Sequence, residues 1–402
     1  MVSGSTAAVG STGCLMFLVL GFANGIAQGF GVMVSHAFGA KDFKLLRHYV
    51  ALSLILTLII SLLLTIPTVT ASRLLLAWMH TPENIIAMAD AYIKVIFAGI
   101  LLTMAYNVVS GILRGIGDSR TPLYFLILSS VLNIILDVVL IVYTGLGTAG
   151  AAYATIIAQG VSAVLCFFYM YRKYEILRTR REDYYLDSAG VKNMLAIGVP
   201  MALNYSITAI GTMIMQSAVN VFGSSVVAAF TAASKVSNIA TQSMPTLGTA
   251  MATYCGQNLG AGKYERIYDG MKKAFFISLV LTGFAAVVCV FFGRAIVGLF
   301  LTAPTEEVLS YATVYLRTIS VFLFFLSILY LYRTSLQGLG KGMVPMIGGI
   351  LELVGRLAVI MLFAKDYGYP AVCLASPVAW IFAGIPNMAA YLLWKRRTKN
   401  LL

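Results

Sequence analysis

Long apolar segments constrain the fold of this chain more than any other feature of its sequence. Eleven are long enough to cross a bilayer as helices, which takes about 20 residues at a rise of about 1.5 Å each, and mostly short connections separate them. We expect helices because the backbone of a helix satisfies its own hydrogen bonds in lipid. The predicted spans are 11–35, 49–71, 89–113, 121–144, 149–171, 191–217, 227–254, 271–292, 309–335, 344–364 and 369–394.

The composition supports the same interpretation. Hydrophobic residues make up 60% of the 402 residues, and charged residues only 11%. Soluble globular proteins contain roughly 45–50% and about 25% of these classes. A soluble protein of this size could not cover its surface with so few charges. The sequence therefore predicts an all-α integral membrane protein of the multi-pass type.

Basic residues are distributed unevenly between the two sets of loops. Twenty Lys and Arg lie in loops on one side of the predicted spans, and three, Arg73, Arg294 and Lys365, lie on the other. Cytoplasmic loops are the ones enriched in Lys and Arg. This places the C-terminus in the cytoplasm and Met1 outside. It also accounts for the net charge of +13, and because no basic run is interleaved with aromatic residues, we expect no nucleic-acid partner.

The two halves of the chain repeat each other. GAKDF from Gly39 matches GAGKY from Gly260 at an offset of 221, and LRGIGDSRTP from Leu113 matches LQGLGKGMVP from Leu336 at an offset of 223. Such a repeat indicates a tandem duplication of parallel helical bundles. We predict an N-terminal bundle of five spans over 1–171, a charged cytoplasmic linker over 172–190 and a C-terminal bundle of six spans over 191–402. By this repeat the first bundle lacks its first helix, which implies a mis-set or truncated start, or a genuine loss.

Three segments carry a resemblance to a known family. They are AAVGSTG from Ala7, LRGIGDSRTPLYFLILSSVLNIILD from Leu113 and AAFTAASKVSNIATQSMPTLGTAMATYCGQNLGAGKYERI from Ala228. In these motifs, and over essentially its whole length, the chain resembles the multidrug and toxic compound extrusion (MATE) transporters. The resemblance implies two bundles around a central cavity, with the first of twelve helices missing here. It also implies a secondary antiporter that exports amphipathic, usually cationic compounds in exchange for H⁺ or Na⁺ by alternating access.

One acidic residue within a predicted span is the main candidate for ion coupling. Asp137 follows Asn133 by one helical turn, so both face the same side. Burying the carboxylate costs at least about 2.5 kcal/mol on insertion scales, and with an amide oxygen it could hold a proton or Na⁺. Asn107 and Thr155 could add oxygens from neighbouring spans, and the resemblance assigns all four residues to a cation site. The structural alternative is an interhelical hydrogen bond by Asp137.

This chain departs from the family pattern at the cation site around Asp137. In the family a further Asp comes from the first helix, which this sequence lacks. A single carboxylate can still bind and release a proton, but it makes a weaker Na⁺ site because hard cations require several oxygen ligands. No other metal site is expected. Ion coupling is therefore the part of the resemblance that the missing helix affects most.

Two charged residues on the tenth predicted span are one turn apart. Glu352 and Arg356 are expected to form a charge pair, which lowers the cost of burying both groups. A role in coupling is the alternative. Arg333, near the inner end of the ninth span, is expected to meet lipid phosphate.

Amide and thioether side chains of the sixth and seventh spans are candidates for drug binding. Such groups adapt to different ligands rather than dictating one geometry. Packing inside the bundle is the alternative for each of them. The candidates are Asn204, Met213, Met215, Gln216 and Gln242.

Other functional classes lack the residues that they require. The GLGKG run from Gly338 does not have the spacing of a phosphate-binding loop, so we expect no nucleotide. No span carries an activated nucleophile or His cluster, so we expect no enzyme and no cofactor other than H⁺ or Na⁺ as the coupling ion. The expected partners are small amphipathic organic substrates and membrane lipid, with a monomer in the plasma membrane. The alternatives are a flippase for lipid-linked saccharides and a transport-inactive remnant.

Overall fold

The computed structural model describes residues 2–79, 81–301 and 305–400, and the side chains of these residues except 2–9 and 11. Helices make up nearly all of these ranges, and no strand occurs in them. The α-helices are α1 (Val2–Gly39), α2 (Phe43–Thr70), α3 (Ser72–Trp78), α4 (Glu83–Ala98), α5 (Ile100–Gly115), α6 (Arg120–Asp137), α7 (Gly147–Lys173), α8 (Ser188–Asn220), α9 (Ser224–Thr241), α10 (Ser243–Gly260), α11 (Tyr264–Val287), α12 (Gly293–Phe300), α13 (Glu306–Gly338), α14 (Met343–Tyr367) and α15 (Tyr369–Lys399).

The predicted spans coincide with these helices, but the count differs by one segment. Among the described residues, nine helices are long and apolar enough to cross a membrane, or ten if the bent pair α4 and α5 forms one span. The remaining predicted span, 227–254, covers α9 and α10, which are separated at Gln242, three residues before Pro245. These two helices are rich in Ser, Thr and Gly, so the prediction overestimated their apolarity.

Several spans are irregular in ways that the apolar pattern did not indicate. The chain bends by 45° between α4 and α5 at Gly99. A π-helical segment, Val138–Tyr143, continues α6 directly after Asp137, and a second one, Val288–Phe292, follows α11. The short helices α3 and α12 occupy positions where the sequence suggested outer loops. Such π segments are rare and often mark functional positions in a helix.

Contacts between Cα atoms divide the chain into two units, Met1–Ser206 and Ile207–Leu402, which we call unit 1 and unit 2. One apolar core fills unit 1 around Phe30, Phe97 and Ile112. Three smaller cores lie in unit 2. The outward face of α6 is strongly apolar, and the side chain of Ile134 is 64% exposed there. Burial of such a surface requires lipid.

The backbone of the turns confirms the internal repeat. In the turn after α1, Lys41 has a φ of +58°, and its counterpart Gly262 in the turn after α10 has a φ of +68°. Likewise, Gly117 after α5 and Gly340 after α13 have φ values of +96° and +75°. The same pattern of backbone hydrogen bonds closes both members of each pair. Turns of the same geometry at offsets of 221 and 223 residues show that the two units share one structural repeat.

Small residues allow close helix packing in unit 1. A Cβ atom at Gly25 of α1 would lie 2.5 Å from the backbone nitrogen of Ala202 in α8. One turn on, a Cβ atom at Gly29 would collide with the backbone of Gly198. The glycines of α1 are therefore required for backbone contact, as small residues are at many interfaces between membrane helices.

The charged linker packs on unit 1. Asp183 of the linker forms an ion pair with Arg47 at the start of α2, with 3.4 Å between Arg47 Nε and Asp183 Oδ2. The His48 ring lies between the Asp183 carbonyl oxygen, 3.0 Å from Nδ1, and the Asp187 carboxylate, 2.7 Å from Nε2. Tyr185 stacks on the same ring, with 4.1 Å between centroids. The linker is thus held to α2 by ionic, hydrogen-bonding and aromatic contacts.

Candidate functional site

The acid at the end of α6 is the central residue of the candidate site in unit 1. Asp137 is the last residue before the π-helical segment, and its side chain is half-buried. Its Oδ1 atom is buried without a hydrogen-bond partner, and no Lys, Arg or His of the described chain forms an ion pair with it. A carboxylate held this way has free lone pairs for a proton or a cation.

The structure brings together two of the residues predicted to accompany Asp137. Asn133 Nδ2 donates to Thr155 Oγ1 across α6 and α7 at 3.4 Å, and the Thr155 hydroxyl donates to the Ala151 carbonyl oxygen. In the described part of the chain, no hydrogen bond connects Asn107 or Asp137 to this pair. The assignment of all four to a cation site stays a prediction.

Two further polar contacts in unit 1 were missed by the sequence analysis. The buried phenol of Tyr92 on α4 lies within electrostatic range of the Asp137 carboxylate. Thr103 on α5 donates to Gln159 Oε1 on α7 at 2.5 Å. Only the polarity of these side chains within apolar spans could have indicated them, and that signal does not distinguish a functional residue from a bundle contact.

A cluster of three buried charges lies in unit 2. Glu352 of α14 accepts from Arg356 Nη2 at 3.3 Å, which confirms the predicted pair, and from Arg333 Nη2 of α13 at 2.5 Å. The expectation for Arg333 was wrong in its partner, because the side chain pairs with Glu352 instead of lying exposed where lipid phosphate would meet it. Its side chain is only 11% exposed, because α13 turns it toward α14 and Glu352 offers a second oxygen.

A glycine on α8 makes room for this cluster, which we call the Arg–Glu–Arg triad. A Cβ atom at Gly211 would collide with Nη1 of Arg356. Tyr315 of α13 is buried nearby and interacts electrostatically with Arg356. The Nε atoms of Arg333 and Arg356 are buried and have no hydrogen-bond partner. The triad therefore has unused donors in a closely packed setting.

The predicted drug-binding residues occupy different environments. Asn204 belongs to unit 1 and is buried, whereas the other four belong to unit 2. Met215 packs in an apolar core, and Gln216 donates to Asn220 Oδ1 at 2.9 Å. Met213 is half-buried, and Gln242 is exposed at the break between α9 and α10. Their role in substrate binding stays a prediction.

The fold and these polar groups define a class of protein before any comparison is made. The chain is a multi-pass helical membrane protein with a duplicated unit. The half-buried Asp137 lies on a span helix of unit 1, and the buried Arg333, Glu352 and Arg356 lie on span helices of unit 2. Charges at such positions in membrane helices mark ion or substrate pathways. A family model described as MatE matches residues 3–139 and 200–362. The chain belongs to the MatE family.

Individual relatives support the same assignment. A probable multidrug resistance protein of Bacillus subtilis, YpnP, is 28% identical over 391 residues, which cover 97% of this chain and 86% of the relative. The FAD transporter of Shewanella oneidensis is 24% identical over 395 residues, with 97% and 86% covered. The crystal structure of a MATE protein in a bent conformation superimposes with a TM-score of 0.89 at 25% identity, with 98% of this chain and 87% of that one covered. The relatives are transporters, and so is this chain.

Proposed function

We propose that the protein is a secondary antiporter of the plasma membrane that exports amphipathic organic compounds, cations among them, in exchange for H⁺ or Na⁺. The single observation that carries this proposal is Asp137, a carboxylate within the membrane whose buried Oδ1 atom has no hydrogen-bond partner among the described residues. An acid that is not neutralised by a fixed cation can change its charge state when a proton or Na⁺ binds.

The surroundings of Asp137 support a role in coupling. The π-helical segment begins directly after it, so the helix changes its hydrogen-bonding pattern at the residue that would titrate. Asn133, one turn earlier, bonds Thr155 on the adjacent helix, which ties this part of α6 to α7. Binding of a cation at Asp137 would therefore act on a helix segment that can adopt more than one geometry.

The names of the relatives support export of organic compounds. Those of Bacillus subtilis are described as probable multidrug resistance proteins, and that of Shewanella oneidensis as an FAD transporter. FAD joins aromatic ring systems to charged phosphates, so it is an amphipathic organic molecule. We propose that class of substrate for this chain, with transport by alternating access and the C-terminus in the cytoplasm.

Transport into inverted membrane vesicles tests this proposal. Vesicles containing the wild-type chain should accumulate ethidium when an acidic or Na⁺-rich lumen is imposed, and the gradient that works identifies the coupling ion. We expect Asp137→Asn to lower this uptake by at least about tenfold, because the amide cannot change its charge. Asp366→Asn makes the same chemical change at an exposed acid of α14 and should leave uptake unchanged.

Two results would contradict the proposal. Wild-type uptake by Asp137→Asn at equal membrane abundance would exclude the acid from coupling. If ethidium movement does not depend on either gradient, antiport is excluded. A flippase or a transport-inactive protein would then be the remaining alternatives.

A further inference from the structure

The Arg–Glu–Arg triad of unit 2 carries a surplus of positive charge. Arg333 and Arg356 contribute two positive charges and Glu352 one negative charge, so the cluster has a net charge of +1. Unit 2 contains six acids, and in its described part only Glu352 forms an ion pair with either arginine. The other five are Glu265, Asp269, Glu306, Glu307 and Asp366.

This surplus cannot be relieved by deprotonation. An arginine guanidinium stays charged at any physiological pH, and a charge buried in a membrane protein is costly unless an opposite charge accompanies it. A simple charge pair between Glu352 and Arg356 would have been neutral. The second arginine is therefore unnecessary for pairing, and it leaves the cluster one anion short.

The hydrogen bonds of the triad lead to the same conclusion. The Nε atoms of Arg333 and Arg356 are buried and have no acceptor in the part of the chain that the structure describes. Unsatisfied buried donors are rare and costly. Carboxylate and phosphate groups accept from two nitrogens of a guanidinium at once. An acidic group at the triad would thus satisfy both the charge and the free donors.

The surroundings leave room for the guanidinium groups without exposing them to lipid. Gly211 has no side chain where Arg356 approaches α8, and a Cβ atom there would collide with Nη1 of Arg356. The side chains of Arg333 and Arg356 are only 11% and 6% exposed. The triad is therefore an internal feature of unit 2 that retains slight access from outside.

The internal repeat relates the triad to the candidate site of unit 1. The offset of 223 that matches Pro122 with Pro345 also matches Asn133 with Arg356. Asn133 lies one turn before Asp137, on the helix to which we assign ion coupling. The equivalent position of the second repeat therefore carries a permanent cation, where the first carries an amide.

We propose that the Arg–Glu–Arg triad is a recognition site for the acidic group, a carboxylate or phosphate, of an amphipathic ligand. The proposal rests on the transport function given above and extends the substrates from cations to molecules that carry an acid. Arg333 and Arg356 bind the acidic group, and Glu352 keeps the two guanidinium groups in place while no ligand is bound. The acid is supplied by a transported molecule or by a lipid headgroup.

Two fluorescent flavins that differ by one phosphate provide the test. Binding of riboflavin and FMN to the full chain is measured by fluorescence anisotropy in phosphatidylcholine nanodiscs. We expect the wild-type protein to prefer FMN by about tenfold, as for a hydrogen-bonded charged group. Arg356→Gln should abolish this preference by lowering the affinity for FMN to that for riboflavin. Glu352→Gln should increase it, because the net charge of the triad rises to +2.

Arg294→Gln is the matched control, because Arg294 also pairs with a glutamate of unit 2, Glu306, but at an exposed position. It should leave both affinities unchanged. Nanodiscs of phosphatidylglycerol distinguish the two sources of the acid. A lipid phosphate that occupies the triad weakens FMN binding there, and Arg356→Gln removes that competition. A transported acid binds equally in both lipids.

The opposite effects expected of the two triad variants separate recognition from structure. If the triad only stabilises the fold, both variants lower the thermal stability and neither changes the ratio of the FMN and riboflavin affinities. Two results together would overturn the proposal. The wild-type protein and Glu352→Gln would each bind FMN no more tightly than riboflavin, or bind neither flavin. Phosphatidylglycerol would also fail to compete for the triad. The two tests are independent. Ethidium export could depend on Asp137 even if the triad does not prefer FMN, and the triad could prefer FMN even if no ethidium export is observed.

Discussion

The two units place an acid of a membrane-spanning helix in opposite electrostatic environments. In the described part of unit 1, no group forms a hydrogen bond with the buried Oδ1 atom of Asp137. In unit 2, Glu352 lies between Arg333 and Arg356 and accepts from both. The first acid has a free oxygen that can accept a proton or a cation, whereas the second is paired with two guanidinium groups. One duplicated fold thus carries a group suited to cation exchange and another suited to holding an anion.

This difference is notable because the backbones of the repeats agree closely. The turn after α5 and the turn after α13 have the same hydrogen-bond pattern and the same positive-φ glycine. Backbone geometry is therefore shared, and side-chain chemistry alone separates the two units. A substitution in one unit can be checked against its counterpart in the other.

The largest expected effect is a difference in protein stability between substitutions of the two acids. Glu352→Gln leaves two buried guanidinium groups without a carboxylate and should lower the free energy of unfolding by about 3 kcal/mol, as for removal of one partner from a buried ion pair. Asp137→Asn should cause no loss, because the amide carries no charge into the membrane. Denaturant unfolding of both variants in one detergent measures the difference. Equal losses would mean that Asp137 has a structural partner, and the contrast between the units would fail.

A smaller effect is expected where glycines provide space. Gly25→Ala places a methyl group against the backbone of Ala202. Overpacking of this kind costs up to about 3 kcal/mol, and the better helix propensity of alanine returns about 1 kcal/mol, so we expect a net loss of about 2 kcal/mol. Gly211→Ala meets only the movable end of Arg356, and its net effect should be near zero.

The same unfolding measurement checks both glycine variants. Gly283→Ala serves as the control because a Cβ atom there has no neighbour within 4 Å, and it should stabilise the chain slightly. A loss at Gly211 as large as that at Gly25 would show that Arg356 cannot move and that the triad is rigid.

The smallest effect concerns the turn between α5 and α6. Asp118 accepts from the Thr121 amide at 3.0 Å and from the Tyr174 hydroxyl at 2.6 Å, and it forms an ion pair with Lys173. Asp118→Ala removes these bonds and should cost about 1 kcal/mol, as for loss of a helix cap. Lys341 takes this position in unit 2, and Lys341→Ala should change the stability little. A loss at both positions would mean that the turn backbone, not the Asp118 side chain, is the sensitive element.

The pH dependence of that variant follows from the charge of Asp118. Burial alone would raise the pKa of Asp118, but the hydrogen bonds from Thr121 and Tyr174 and the charge of Lys173 lower it to about 2. Its contribution to stability is therefore complete above the unfolded-state pKa of about 3.9 and is lost as the pH falls toward 2. The difference between wild type and Asp118→Ala should be constant from pH 7 to about 5 and should shrink below that. A difference that already shrinks near pH 6 would contradict the lowered pKa.

Much of the architecture could be predicted, because it depends on local sequence. Apolar length located the spans, and the spacing of Glu352 and Arg356 by one helical turn predicted their pairing. Apolar length alone did not locate the break at Gln242, three residues before Pro245. Sequence reasoning also gave Arg333 the wrong partner, since the direction in which α13 turns that side chain depends on packing against α14.

The site in unit 1 shows the same limit. Asn133 donates to Thr155, although the assignment of both to a cation site stays a prediction, and Tyr92 was not recognised as a neighbour of Asp137. A tyrosine inside an apolar span is equally typical of a packed core. Only the packing of α4 near the end of α6 distinguishes these cases.

By itself the sequence determined that this chain is a duplicated helical membrane protein with very few intramembrane charges, because apolar length, repeat spacing and charge are properties of residues in order. The tertiary structure alone decided which of those charges are neutralised. In the described part of the chain, Asp137 has no cationic partner, whereas Glu352 has Arg333 of α13 in addition to Arg356 of its own helix. Helix packing, not position in the chain, decides such contacts between different helices.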